Sequence, residues 1–189
     1  MTAVDIAILV IAGTLLAALA MAVLTRRRRR RELLSLLYHE TFGLCREAAE
    51  LAEEICACQA DGRSVDQAVL VRHALTEPRT YPGLVPSLWR LPRGLGWRAV
   101  EFHGHLCLAR TRLATWLSGE RDAISTYLLV SALLRSANAG DGILLDCARG
   151  LGWRKKWWKP EMPLANAYIG RTERAEPDLM DWGYWSLPS

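Results

Sequence analysis

The sequence predicts an all-α fold: a single N-terminal transmembrane helix continues into a cytoplasmic bundle of about four helices, and an extended, Trp-rich C-terminal tail follows. Three features of the 189 residues predict it. An apolar segment of 19 residues lies near the N-terminus, apolar residues after it recur three and four positions apart, and no segment shows the period-two alternation of a half-buried strand. We expect three parts, namely a transmembrane anchor with a basic collar at 1–31, the bundle at 32–148, and a basic-aromatic segment with the tail at 149–189.

The apolar segment, residues 6–24, contains no charged residue. As a helix it would be about 28 Å long, enough to cross a hydrocarbon core of ~30 Å. A cleaved signal peptide is the alternative, since its alanines resemble cleavage sites, but signal peptides carry positive charges ahead of the apolar stretch and only Asp5 lies there. The segment therefore predicts an uncleaved anchor. Gly13 and Ala17 share one helix face and predict helix packing in the membrane, unless Ala is simply common here.

Six consecutive arginines follow the apolar segment and form what we call the collar: Arg26, Arg27, Arg28, Arg29, Arg30 and Arg31. Because arginine resists translocation, the collar predicts an N-terminus outside and a C-terminal domain in the cytoplasm. The collar either sets topology alone or also recruits anionic lipid or an acidic partner. The 21 Arg against 3 Lys, with abundant Ala and Leu, suggest a bacterial protein and thus the inner membrane. Five cysteines, an odd number without framework spacing, predict reduced thiols.

The anchor helix is expected to continue to about Ala60, because no proline interrupts residues 6–62. A heptad seam supports this prediction, since its members alternate three and four positions apart: Leu34, Leu37, Thr41, Leu44, Ala48, Leu51, Ile55 and Cys58. The helix should stop at Asp61-Gly62. Ser64 and Gln67 then resemble a capping box that starts a second helix ending near Thr76.

The other helices of the bundle are predicted from the prolines and glycines that separate them. Residues 76–96 hold four prolines and three glycines and predict a long loop. Helices are expected at about 97–117 and 120–137, with a stop at 138–142 and a short helix at 143–148. The hexapeptide at 93–98 recurs letter for letter at 149–154. We expect each copy to form a glycine turn that presents Trp and Arg at the start of the next element.

No motif predicts catalysis, and we expect no catalytic residue, no cofactor and no metal. His103 and Cys107 share one helix face, but His105 points away, and two ligands are too few for a closed zinc site. Residues 94–99 match the letters of a dinucleotide fingerprint without the preceding strand that this fingerprint requires. Motifs of serine nucleophiles, zinc proteases and phosphate loops are absent from the sequence.

The C-terminal segment is unusual because five of the eight tryptophans lie in the last 37 residues. Its aromatic residues predict a partner-binding surface: Trp153, Trp157, Trp158, Trp182, Tyr184 and Trp185. Among them, Lys155, Lys156 and Lys159 predict contact with the anionic membrane surface. Alternatively, these aromatic rings bind no partner and cover the surface of the bundle. Nucleic-acid binding is not expected, because the positive charge is confined to two short runs, the collar and residues 149–160, and is not spread over a domain.

These features together predict a non-enzymatic accessory, assembly or scaffolding subunit of a larger inner-membrane complex, which docks protein partners through its bundle and aromatic tail. Two alternatives stay open. The chain is either a membrane-bound regulator or effector that senses a cytoplasmic partner, or an enzyme with a noncanonical helical site.

Overall fold

The structure, a computed structural model, describes residues 3–65, 70, 75–92, 94–119, 122–153 and 161–178, with only the backbone described at 3–10 and 12. These residues form helices and no strand, which confirms the all-α prediction. In chain order the described α-helices are α1 (Ala3–Ala60), α2 (Tyr81–Leu84), α3 (Leu95–Leu117), α4 (Ala123–Leu151) and α5 (Pro163–Ala175), and a 3-10 helix, Val85–Arg90, follows α2.

Helix α1 is continuous over 58 residues and ends before Asp61-Gly62, as predicted. It contains the apolar segment, the collar and the seam without a break. Every predicted seam residue is buried, with at most 4% of its surface exposed: Leu34, Leu37, Thr41, Leu44, Ala48, Leu51, Ile55 and Cys58. Three-four periodicity alone therefore identified the face of α1 that meets the core.

Helix α4 is the central helix and packs along both α1 and α3. It runs antiparallel to α1, because its residue 140 lies at Cys45 while its residue 150 lies at Leu34. It is also antiparallel to α3, since Arg98 pairs with Asp146 at one end and Trp116 donates a hydrogen bond to Thr126 at the other. The core is built from the facing sides of these three helices.

The predicted stop at residues 138–142 is wrong, because α4 continues through it to Leu151 and takes in the predicted short helix at 143–148. The glycine at 140 marks a close approach of helices instead. A Cβ atom there would overlap the sulfur of Cys45 and would lie 3.1 Å from the ring of Phe102. Helix α4 therefore approaches α1 and α3 closely at Gly140, where only a hydrogen fits.

Two further differences concern the connections. Helix α3 begins at Leu95, two residues earlier than expected. The predicted loop at 76–96 contains α2 and the 3-10 helix, both of which have proline in their first turn, where its missing N–H costs nothing. Gln67 and most of the predicted second helix at 64–76 lie outside the described residues.

The prediction of an extended tail is wrong for residues 163–175, which form α5. Pro163 stands in the first turn of this helix and Pro177 follows its end, so both prolines bound the helix rather than prevent it. Met162 and Ala165 are buried in the common core, and α5 packs on α1 and α4. Residues 179–189, which include Trp182, Tyr184 and Trp185, lie outside the described part.

Among the described residues, α4 is the helix that is long and apolar enough to cross a membrane. More than half of its most apolar stretch (56%) is buried inside the protein, which agrees with its place between α1 and α3. This helix is not the N-terminal one. The side chains of residues 6–10 and 12 are outside the description, so the predicted span at 6–24 stays a prediction.

Candidate functional site

The collar lies on the surface of α1, where all six arginines are exposed. Arg28 is held by Glu32 one turn later, with 3.0 Å between Nε and Oε1. Helical spacing separates the rest into two sides, because residues 22, 25, 26, 29, 30 and 33 share one face and Arg27 and Arg31 lie on the other. The first face thus carries Arg26, Arg29 and Arg30 between apolar neighbours.

The 3-10 helix lies against this face and brings Trp89 and Arg90 to it. Between them is an open cavity of about 400 Å³, lined by Ala22, Thr25, Arg26, Arg29, Arg30, Leu33, Trp89 and Arg90. Leu84 and Leu91, on either side of the 3-10 helix, are buried and fix its position. We call this space the collar cavity.

Four guanidinium groups line the collar cavity, and within the described residues none of them pairs with a carboxylate. The guanidinium of Arg90 lies 5.0 Å from the centre of the Trp89 ring, a cation–π distance. Trp89 itself is 73% exposed. Since Ala22 belongs to the apolar segment, the cavity extends from that segment into the cationic collar. Its electrostatics favour an anion.

The described residues of both copies of the hexapeptide repeat, 94–98 and 149–153, lie at the end of the bundle that adjoins the collar, which we call the collar end. The first copy starts α3, with Gly94 in a left-handed conformation at φ 88°. The second ends α4, with Gly152 at φ 74°. For the second copy, Arg154 and the residues that would begin the next element lie outside the described residues, so the expectation stays a prediction there. In both copies the tryptophan side chain is exposed, by 73% for Trp97 and by 43% for Trp153.

Trp153 is the one member of the predicted partner-binding set that lies within the described residues. Its ring meets the ring of Tyr38 edge-on at 4.8 Å, and the His39 ring is 6.2 Å away. Part of Trp153 thus packs on α1 and part faces outward. Trp157, Trp158, Trp182, Tyr184 and Trp185, and also Lys155, Lys156 and Lys159, lie outside the described residues.

The sequence analysis missed Trp89 and Arg90. Their adjacency in a proline-rich stretch was the available signal, and the shared face of Arg26, Arg29 and Arg30 follows from helical spacing alone. What brings the two groups together is the tertiary position of the 3-10 helix, which contacts the start of α3 and which no local pattern encodes. Gly13 and Ala17 are exposed, and a Cβ at Gly13 would have no neighbour within 4 Å.

The side chains of His103, His105 and Cys107 have three different environments in the structure. His103 is buried and stacked on Tyr81 at 3.5 Å between ring centres, and burial lowers its pKa to about 4. His105 lies 3.9 Å from Glu101, and Cys107 is exposed. The described residues contain no group of three side chains arranged to hold a metal ion.

All five cysteines are free thiols, in agreement with the prediction. Burial raises the pKa of Cys45, Cys56 and Cys147 to about 12, so these thiols pack as small apolar groups and are poor nucleophiles.

Comparison of the chain with protein-family models, with curated proteins and with solved structures found no match. Its function is therefore inferred from its own residues.

Proposed function

We propose that this chain is a single-pass protein of the bacterial inner membrane that acts as a non-enzymatic accessory or assembly subunit of a larger complex. The N-terminal part of α1 crosses the bilayer, and the bundle lies in the cytoplasm. One observation carries this proposal, namely the apolar surface of α1 before the collar, which no other part of the described chain covers.

The exposed fractions of these side chains are large for apolar residues. They are 59% for Ile11, 65% for Leu15, 69% for Leu16, 68% for Leu19 and 64% for Met21. They lie all around the helix, so a single partner helix would leave much of this surface in water. A hydrocarbon environment covers every side of such a helix at once.

The orientation is supported by the collar. Six exposed arginines follow directly on the apolar segment, and arginine next to a span is retained in the cytoplasm. Because α1 continues from the span into the core of the bundle without a break, the bundle is held rigidly next to the bilayer. Such a protein presents a fixed cytoplasmic surface to its partners.

Partner docking is supported by the exposed tryptophans of the collar end and by the aromatic residues of the C-terminal segment. Trp97 and Trp153 offer large apolar area that the bundle leaves uncovered. Residues 179–189 add Trp182, Tyr184 and Trp185. Rings of this kind commonly carry most of the binding energy at protein interfaces.

The topology is tested with a reporter enzyme fused after Ser189. We expect activity only from a reporter that works in the cytoplasm, and a protein that resists alkaline extraction from membranes. Replacing Leu15 and Leu16 with Arg should release the protein, since each charge costs about 3 kcal/mol at the centre of a span. A fusion active in the periplasm, or a mature N-terminus beginning near residues 20–23, would contradict the proposal.

The accessory role is tested by co-purification in mild detergent, followed by mass spectrometry. A subunit of a complex brings down membrane proteins in a fixed ratio to itself. A regulator or effector instead binds its partner in a ratio that varies with the conditions of growth, and that result would favour the alternative role.

A further inference from the structure

The collar cavity joins two groups that the sequence keeps far apart, the arginines of α1 and the Trp-Arg pair of the 3-10 helix. We propose that it is a binding site for the phosphate headgroup of an anionic phospholipid. The proposal rests on the proposed function, because it needs α1 to cross the bilayer so that the cavity lies at the level of the headgroups.

The charge of the cavity matches this ligand. Arg26, Arg29 and Arg30 approach from α1, and Arg90 approaches from the opposite wall. Guanidinium groups present several N–H donors in a planar fork that fits phosphate oxygens in pairs. Among the described residues, no carboxylate pairs with these four groups, so none neutralises their positive charge.

The apolar part of the cavity fits the rest of a lipid. Ala22, within the apolar segment, gives the cavity an apolar contact at its membrane end, and Leu33 gives it another on the opposite side of the arginines. Trp89 is largely exposed beside it. Tryptophan is enriched at the headgroup level of bilayers, where its ring contacts both apolar chains and polar groups. A soluble anion would gain nothing from these neighbours.

The structure thereby distinguishes a defined site from a diffuse positive surface. In a diffuse surface, all six arginines attract anionic lipid equally. In a defined site, Arg29 and Arg30 contribute to the preference for anionic lipid because they face the 3-10 helix. Arg27 and Arg31 do not contribute, because they face away. Arg90, which lies outside the collar in sequence, contributes to this preference as well.

The test uses the full-length protein in phosphatidylcholine bilayers that contain spin-labelled phosphatidylglycerol or spin-labelled phosphatidylcholine. The ratio of immobilised to free label gives the preference for the anionic lipid. The cavity variant Arg29→Gln/Arg30→Gln is compared with the matched variant Arg27→Gln/Arg31→Gln. Each loses two charges, each keeps four arginines for topology, and Gln is a good helix former.

We expect the cavity variant and Arg90→Gln to lower the preference for phosphatidylglycerol about fivefold or more, and the matched variant to keep it. Equal losses in the two double variants, or an unchanged preference in Arg90→Gln, would overturn the proposal. A millimolar excess of inorganic phosphate at constant ionic strength should leave the immobilised fraction unchanged. Displacement by phosphate would identify the site as one for a soluble anion and would also overturn it.

The same experiment distinguishes a failure of the proposed membrane insertion from a failure of the proposed lipid site. Each preparation is extracted with alkali before the measurement. A wild-type chain that leaves the bilayer shows that α1 does not span it, whereas an inserted chain without lipid preference shows that the span is right and the headgroup site is wrong.

Discussion

Single residues decide how closely the three long helices of this protein approach one another. Where α4 crosses α1 and α3, the residue at 140 has no side chain, and its neighbours are Cys45, Phe102 and Thr41. Glycine in the middle of a helix costs up to ~1 kcal/mol relative to alanine. The contact of three helices at this point accounts for its presence, because any side chain would separate them.

Replacing Gly140 with Ala should therefore destabilise the protein by about 1–3 kcal/mol, although Ala is the better helix former. The added methyl group would overlap the Cys45 sulfur and crowd Phe102. Gly104→Ala is the matched control, since Gly104 is exposed on α3 and has no neighbour within 4 Å of its Cβ position. That change should stabilise by up to about 1 kcal/mol. Urea unfolding in detergent measures both, and a stabilised Gly140→Ala would contradict the close packing.

For single residues, the sequence predicted well which side chains are buried and predicted poorly where a helix ends. The eight seam residues of α1 were identified because apolar spacing reports the face that a helix buries. The residues 138–142 were misread as a stop, because Asn, Gly and Asp favour helix ends only when no tertiary contact competes. Trp89 and Arg90 were missed because their role depends on a wall supplied by a different part of the chain.

Among the elements, α1 organises the others through glutamates that lie off its seam. Glu40 accepts a hydrogen bond from the Thr80 amide, and both oxygens of Glu47 accept from Thr76, each at 2.7 Å. Glu53 accepts from the amides of Leu164, at 3.3 Å, and Ala165, at 2.9 Å. The first pair holds the segment before α2, and Glu53 caps the start of α5. Their positions off the apolar seam follow from periodicity, but their contacts do not.

Replacing Glu53 with Ala should loosen α5 and leave the three long helices intact. The change leaves two amides in the first turn of α5 without an acceptor, a loss of about 1 kcal/mol, comparable to that of a helix cap. Amide hydrogen exchange followed by mass spectrometry should show about fivefold faster exchange in residues 163–175. Glu54→Ala, which removes the same charge one position later, should leave this exchange rate unchanged. Equal effects of the two variants would mean that charge alone holds α5.

For the molecule as a whole, the sequence predicted the all-α class better than the path of the C-terminal segment. The prolines at 160, 163, 177 and 188 suggested an extended chain, yet α5 begins at Pro163, ends before Pro177 and packs on the bundle. Met162 and Ala165 complete the core at the far end, and Tyr127 of α4 donates a hydrogen bond to Glu173. The predicted tail therefore contains a structural part, and the candidate partner-binding residues at 182–185 come after it.

Two truncations separate these parts. Ending the chain after Asp178 removes Trp182, Tyr184 and Trp185 and keeps α5, whereas deleting residues 161–189 also removes Met162 and Ala165 from the core. We expect the first truncation to unfold like the full-length protein, within about 0.5 kcal/mol, and to lose its partners. The longer deletion should lower stability by about 2 kcal/mol or more, since a buried Met side chain alone contributes about 1.5–3 kcal/mol.

The partner-binding role of the final residues is then tested in the full-length chain with Trp182→Ala/Trp185→Ala. Interface tryptophans typically cost about 2 kcal/mol or more each when truncated, so the pair should lower partner recovery in mild detergent by a hundredfold or more. Leu117→Ala/Ile124→Ala is the matched control, because these apolar side chains are also exposed but belong neither to the collar end nor to the C-terminal segment, and it should leave partner recovery unchanged. If the double variant or the chain ending at Asp178 is instead degraded or unfolds more easily, these rings cover the bundle. The partner surface must then lie elsewhere, and Trp153, which remains partly exposed beside Tyr38, becomes its strongest remaining candidate.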